Sequence, residues 1–169
     1  MEKRQYHRTF LFAALGIILI VALYFGLTQK NSAPAVTLTD LSGKSINLSQ
    51  LHGRTVLIDF WATSCPGCVE EMPKLVELYE RNHAQGFDLL AVAMNYDDAE
   101  QIRRFAADRK LPFPVVYDSS GAIAHAFGDI KLTPTSFLIA PDGHIVEQTI
   151  GDPDFAKLQR RLSKEDSQT

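Results

Sequence analysis

The run Thr55-Val56-Leu57-Ile58-Asp59-Phe60-Trp61 is apolar at almost every position. A strand with one face in water alternates apolar and polar residues, so a run without alternation reads as a strand covered on both faces. Such strands belong to sheets with helices packed against them, which makes an α/β architecture the expectation. The composition allows it, since 46% apolar and 22% charged residues over 169 positions is ordinary for a globular protein. Within this run Asp59 stands out. A carboxylate is costly to ionise in a buried strand, so Asp59 is expected to hold its proton above the usual carboxylate range. The plainer alternative is a solvent-facing acid on an edge strand.

The rest of the chain supplies partners for that strand. Val36 to Thr39 and Ile46 to Leu48 suit a small hairpin around Ser42-Gly43. Val69, Met72, Val76 and Tyr79 recur at helical spacing, and Gly86 closes that helix. Phe87 to Met94 reads as a second buried strand, Ala99 to Lys110 as a helix, Pro114 to Tyr117 as a strand and Ile123 to Phe127 as a short helix. Thr135 to Ile139 and Ile145 to Ile150 form an antiparallel hairpin across Pro141-Asp142-Gly143. Phe155, Leu158 and Leu162 then line one face of a last helix.

From Phe10 to Leu27 there is no charged residue. At about 1.5 Å per residue this run extends roughly 27 Å, close to a hydrocarbon core about 30 Å thick. Lys3, Arg4 and Arg8 precede it and only Lys30 closely follows, so the positive-inside bias keeps the N-terminus in the cytoplasm and exports the remainder. A cleaved signal peptide is the rival reading, because Ala33-Pro34-Ala35 offers small residues, but the run exceeds the usual apolar region of about 7 to 15 residues. The expected organisation is a cytoplasmic segment at 1–9, an anchor at 10–27, a linker at 28–35, one domain at 36–162 and a polar tail at 163–169. The exported part is more acidic than the chain's net charge of −3, which argues against a nucleic-acid surface.

Cys65 and Cys68 are the only cysteines. They cannot make a disulfide framework or a four-cysteine zinc site, and a bridge between them closes too small a loop to add much stability. Redox chemistry explains them better. With Pro66 at the first helical position, Cys65 becomes the N-cap and Cys68 lies one turn along. Free backbone N–H groups at the helix start favour a Cys65 thiolate, making Cys65 the nucleophile and Cys68 the resolving thiol. Glu71 shares a helical face with Cys68, although both Glu70 and Glu71 could be solvated acids favoured by the helix dipole. His125 and His144 have no ligand-spaced partner and read as surface residues.

The stretch Ile58-Asp59-Phe60-Trp61-Ala62-Thr63-Ser64-Cys65-Pro66-Gly67-Cys68, with Glu71-Met72-Pro73 and Thr133-Pro134-Thr135, resembles the TlpA/ResA-like membrane-anchored thioredoxins across roughly Ala35 to Leu162. Ser64 departs from the tryptophan common in that family, and Asp59 from a frequent asparagine. The resemblance implies a thioredoxin-like fold with an N-terminal hairpin extension and a central insert, preceded by one transmembrane helix. It implies a thiol-disulfide reductase on the periplasmic side of a bacterial inner membrane, with relatives serving cytochrome c maturation or copper-site assembly in cytochrome oxidase. It sets Asp59 behind the cysteine pair, makes Glu71 an active-site acid, and gives Thr133 and Pro134, through a cis peptide, to the substrate site with Pro66, Gly67 and Trp61. Trp61 is expected to pack against and shield the pair. From the sequence alone, a Thr133-Pro134 bond before a strand would be trans.

The expected catalyst needs no cofactor or metal beyond the Cys65-Cys68 disulfide. Its partners are disulfide-containing exported proteins and a membrane thiol-disulfide carrier that restores the dithiol. A peroxidase is disfavoured because Ala62 and Ile58 stand where its threonine and proline belong. A copper chaperone could hold a soft ion on two thiolates and a histidine, but copper-carrying relatives of this fold separate their cysteines by one residue more. An oxidase or isomerase is the nearer rival. Pro66-Gly67 lacks the histidine of strong oxidants, which places the expected potential nearer thioredoxin at about −270 mV than DsbA at about −120 mV.

Overall fold

The run from Thr55 to Trp61 forms the middle strand of the sheet. In the computed structural model, which describes residues 32–165, the elements in chain order are β1 (Thr37–Thr39), β2 (Ser45–Asn47), β3 (Thr55–Trp61), α1 (Pro66–Asn82), β4 (Phe87–Ala93), α2 (Ala99–Asp108), β5 (Val115–Tyr117), α3 (Ala122–Ala126), β6 (Thr135–Ile139), β7 (Ile145–Ile150) and α4 (Phe155–Glu165). The segment at 1–9, the anchor at 10–27, the first linker residues and the end of the tail lie outside the described residues. Among the described residues no helix is long and apolar enough to cross a membrane.

Five strands form one sheet in the order β5-β4-β3-β6-β7. β3 runs parallel to β4 and antiparallel to β6, so every residue of β3 is buried as its composition requires. Side chains alternate between the two faces. Leu57 and Trp61 join a core built with Cys68, Met72, Leu75 and Leu78 of α1, Ile102 of α2, and Leu158 and Leu162 of α4. Val56, Ile58 and Phe60 face the other way, into a core closed by the β1–β2 hairpin and α3. Phe60, Phe127 and Phe137 meet there edge-on or tilted, with centroids 5.0–6.0 Å apart. By this alternation Asp59 shares the face of Leu57 and Trp61, under α1.

The N-terminal hairpin is tied to the sheet edge, where Leu41 N–H donates to the Val115 carbonyl at 2.8 Å. α1 ends through a 3₁₀ turn at His83–Gln85 and a left-handed Gly86 at φ 93°. Asn82 and Gln159 exchange two amide hydrogen bonds of 3.0 Å, joining α1 to α4. The buried face of α1 differs from the expected one. Cys68, Glu71, Met72, Leu75, Leu78 and Asn82 point inward, whereas Val69, Val76 and Tyr79 are half-buried. α4 continues to Glu165, into the stretch read from sequence as a polar tail.

Candidate active site

β3 delivers the chain to a turn at Ala62–Ser64, and α1 begins at Pro66. Proline costs nothing there, because the first N–H groups of a helix lack intrahelical acceptors. Cys65, in extended conformation, is the N-cap, and its Sγ accepts from Cys68 N–H at 3.3 Å. The two sulfurs are joined as a disulfide, with Cα atoms 5.3 Å apart. Their surroundings differ. Cys65 is half-buried at the positive end of α1, where a thiolate is favoured. Cys68 is fully buried in the core.

Three elements meet at Cys65. The Thr133-Pro134 peptide is cis, which reverses the trans expectation from local sequence and agrees with the one drawn from the resemblance. The Thr133 carbonyl oxygen lies 3.6 Å from Cys65 Sγ. Pro134 Cδ would stand 3.9 Å from a Cβ built on Gly67, so the proline loop passes close over the first turn of α1. Pro66 and Gly67 are exposed beside it. Tyr96, more than half exposed in the loop after β4, brings its hydroxyl within 3.1 Å of Thr133 Oγ1. Nothing in the sequence pattern marked Tyr96.

Two carboxyl groups lie in the interior. Asp59 is fully buried and Glu71 is 1% exposed, and no oxygen of either has a hydrogen-bond partner among the described residues. Glu70 alone of the adjacent pair is exposed, so the solvated first-turn reading fails for Glu71. Burial pushes Asp59 up to about 7 from its ordinary value. Burial also raises Glu71, to about 9, helped by the negative charges of Asp59 and Asp152 and opposed by Lys74. The two acids titrate as a pair, with Glu71 protonated near neutrality.

Trp61 does not belong to a substrate surface. It is fully buried, and its ring packs 5.1 Å from Phe105 of α2, so it supports the site from within. Full burial leaves it no surface for the substrate contact expected of it. His125 pairs with Asp129 and His144 with Asp142, both away from the cysteines in sequence.

Sequence reasoning missed Asp97. Its two oxygens accept from Thr63 N–H and Thr63 Oγ1, each at 2.6 Å, and Oδ1 also accepts from Asp98 N–H at 3.0 Å. Tyr117 O–H donates to the Asp97 carbonyl at 3.2 Å. The carboxylate thereby knots the turn before Cys65 to the loop after β4.

The redoxin family profile matches residues 28–162. Thiol-disulfide oxidoreductase ResA of Bacillus cereus is 35% identical over 145 residues, 83% of each chain. The solution structure of a Neisseria meningitidis protein described as a thioredoxin is 41% identical, covers 80% of this chain and 90% of its own, and superposes with a TM-score of 0.74. The crystal structure of StoA from Bacillus subtilis is 27% identical, covers 75% and 98%, and has a TM-score of 0.65. With a thioredoxin-like sheet, a bonded cysteine pair at a helix start and these relatives, the chain belongs to the redoxin family as a thiol-disulfide oxidoreductase of the ResA type.

Proposed function

We propose that the protein works as a reductase of disulfides in exported proteins. The observation that carries this reading is the asymmetry of the pair: Cys65 is reachable at a helix N-terminus, and Cys68 is buried on the face that carries Glu71. In the dithiol form, Cys65 thiolate attacks a substrate disulfide. A mixed disulfide forms, and the first substrate thiolate leaves and takes a proton from water. Cys68 then gives its proton to the Asp59–Glu71 pair, and its thiolate attacks Cys65 Sγ. The Cys65–Cys68 bond forms as the second substrate thiolate leaves, and the proton that the acids took from Cys68 passes to it. Two electrons and two protons have passed to the substrate.

Thr133 and Pro134, with Pro66 and Gly67, form the surface on which an extended substrate segment lies, its backbone pairing beside Thr133 in the manner of strand addition. No cofactor is required beyond the cysteine pair. The run from Phe10 to Leu27 and the basic residues before it support a single-pass protein of a bacterial inner membrane with its domain on the periplasmic side. In that oxidising space a membrane thiol-disulfide carrier restores the dithiol. Cytochrome c maturation and copper-site assembly supply disulfides of the required kind.

The experiment combines trapping with a potential. Cys68→Ser should accumulate mixed disulfides through Cys65, and Cys65→Ser far fewer, because release depends on the resolving thiol. The equilibrium potential of the pair should fall near that of thioredoxin, about −270 mV. Equal trapping by both variants would overturn the assigned roles. A potential near about −120 mV would make the protein an oxidant.

A further inference from the structure

Large apolar side chains exposed singly on a surface need no explanation, but a group of them at one place does. Among the described residues Tyr96, Leu132, Val146 and Ile150 are exposed in this way, and all but Val146 stand at the Thr133-Pro134 loop. Tyr96 reaches that loop from the end of β4, its hydroxyl 3.1 Å from Thr133 Oγ1. Leu132 precedes Thr133 in the chain, and its carbonyl accepts from Thr135 Oγ1 at 2.8 Å. Ile150 is the register partner of Thr135 on the edge strand β7, and the next residue, Gly151, donates its N–H to the Pro134 carbonyl at 2.8 Å. The same loop holds the Thr133 carbonyl oxygen 3.6 Å from Cys65 Sγ. On the α1 side Ser64, Pro66 and Gly67 are exposed and none of them is bulky, so the apolar bulk beside Cys65 comes from the proline loop and Tyr96.

Tyr96 is held at both ends. Its neighbour Asp97 is tied to Thr63, Tyr117 O–H donates to the carbonyls of Asn95 and Asp97 at 3.4 and 3.2 Å, and the Tyr96 hydroxyl meets Thr133. A ring fixed in this way and still open to solvent has already lost freedom that binding would otherwise cost. Aromatic side chains so placed anchor a partner. We propose that Tyr96 is a specificity-determining residue: with Leu132 and Ile150 it borders the substrate surface and selects an extended segment that carries an apolar or aromatic side chain beside its reactive cysteine. The proposal rests on the reading of Thr133 and Pro134 as the substrate site. A segment paired beside Thr133 brings its cysteine to Cys65 and lays the flanking residues along the loop, at about 3.3 Å per residue. The 3.6 Å and 3.1 Å contacts that join Cys65 to Thr133 and Thr133 to Tyr96 put those flanking side chains within reach of the ring. Apolar flanks release water from the ring and from themselves, and polar flanks gain none of this.

The test uses the reduced full chain in detergent and two short peptides that differ only in the residues on each side of a single cysteine, Phe in one and Ser in the other. Each peptide is joined by a disulfide to free cysteine. The second-order rate constant for its reduction is divided by that with dithiothreitol, so that intrinsic reactivity cancels. Wild type should favour the Phe peptide by about 10-fold, the scale of one apolar side chain in an apolar site. Tyr96→Ala should slow the Phe peptide by about 5- to 10-fold and the Ser peptide by less than about twofold. Tyr96→Phe keeps the ring and should keep the preference, and Leu132→Ser should reduce it in part. Equal slowing of both peptides by Tyr96→Ala would make Tyr96 a structural tie between two loops and overturn the proposal. So would loss of the preference in Tyr96→Phe, or a preference untouched by both Tyr96→Ala and Leu132→Ser. Equal wild-type rates for the two peptides would overturn it and leave the reductase reading standing. Failure of the wild type to reduce either peptide would overturn that reading as well.

Discussion

Asp59 and Asp97 are both buried aspartates beside the redox turn, one in β3 and one in the loop that follows β4. Asp97 has both oxygens engaged by Thr63 and Asp98. Neither oxygen of Asp59 has a partner among the described residues, and neither does either oxygen of Glu71. Buried polar groups are normally satisfied, so an exception calls for an explanation. A partnered carboxylate serves geometry. An unpartnered one is driven toward its neutral form and becomes a group that can take or give a proton near neutral pH. On the proposed mechanism the wall of this site serves position and its floor proton exchange.

The largest effect should come from breaking the wall. Asp97→Ala removes the acceptors of two Thr63 donors and of Asp98 N–H, and hydrogen bonds to a charged group are the stronger class. A loss of roughly 2–4 kcal/mol is expected in urea unfolding of the oxidised protein. Asp97→Asn keeps the shape and one good acceptor oxygen, so it should recover part of that loss. Unchanged stability in Asp97→Ala would mean that the knot does not hold the turn.

Breaking the floor should act on rate before stability. Asp59→Asn leaves the shape and removes the ionisable group, so mixed-disulfide resolution near neutral pH should slow by about 10- to 100-fold, within the range of general acid–base effects. Stability should respond in the opposite direction from the Asp97 variants. In the folded protein Asp59 titrates at about 7 and Glu71 at about 9, above ordinary values of 3.8 and 4.5. Between those limits the folded state binds more protons than the unfolded state, so stability falls as pH rises. The decline runs from about 4 through about 7 for Asp59 and from about 4.5 through about 9 for Glu71. Asp59→Asn or Glu71→Gln, by removing one member of the coupled pair, should each flatten that decline in a series of thermal unfolding curves. A resolution profile for Asp59→Asn superimposable on wild type would leave Asp59 a structural residue.

Legibility in the sequence followed the range of each interaction. β3, β6 and β7 were readable residue by residue, because their apolar runs and turn residues are local. So was the Cys65 cap, since Cys-Pro-Gly-Cys encodes the start of α1. The buried face of α1 was not. Glu71 and Asn82 lie on the inward face, whereas Val69 and Val76, which a hydrophobic pattern places there, are half-buried, so buried polar residues shift the apparent stripe. Trp61 lies next to the active turn along the chain, yet strand alternation turns it under α2, onto Phe105. The bonds between Thr63 and Asp97 join distant parts of the chain. No local pattern marks that pair, and only the parallel pairing of β3 with β4 brings the two loops side by side.

The smallest test separates wall from floor most finely. Thr63→Val keeps the volume and the backbone N–H that donates to Asp97 Oδ2, and removes only the hydroxyl that donates to Oδ1. One charge-assisted hydrogen bond is lost, so stability should drop by about 1–2 kcal/mol in urea unfolding. The turn remains tied through the backbone, and Cys65 stays at the helix start. Resolution should therefore keep its wild-type pH dependence, with any change in rate uniform across the profile. Thiol alkylation of the reduced protein against pH, measured beside the unfolding curves, gives both readouts from one preparation. If Thr63→Val displaced the profile as Asp59→Asn does, the Asp97 knot would be part of the proton chemistry, and the division between a positioning wall and a titrating floor would fail.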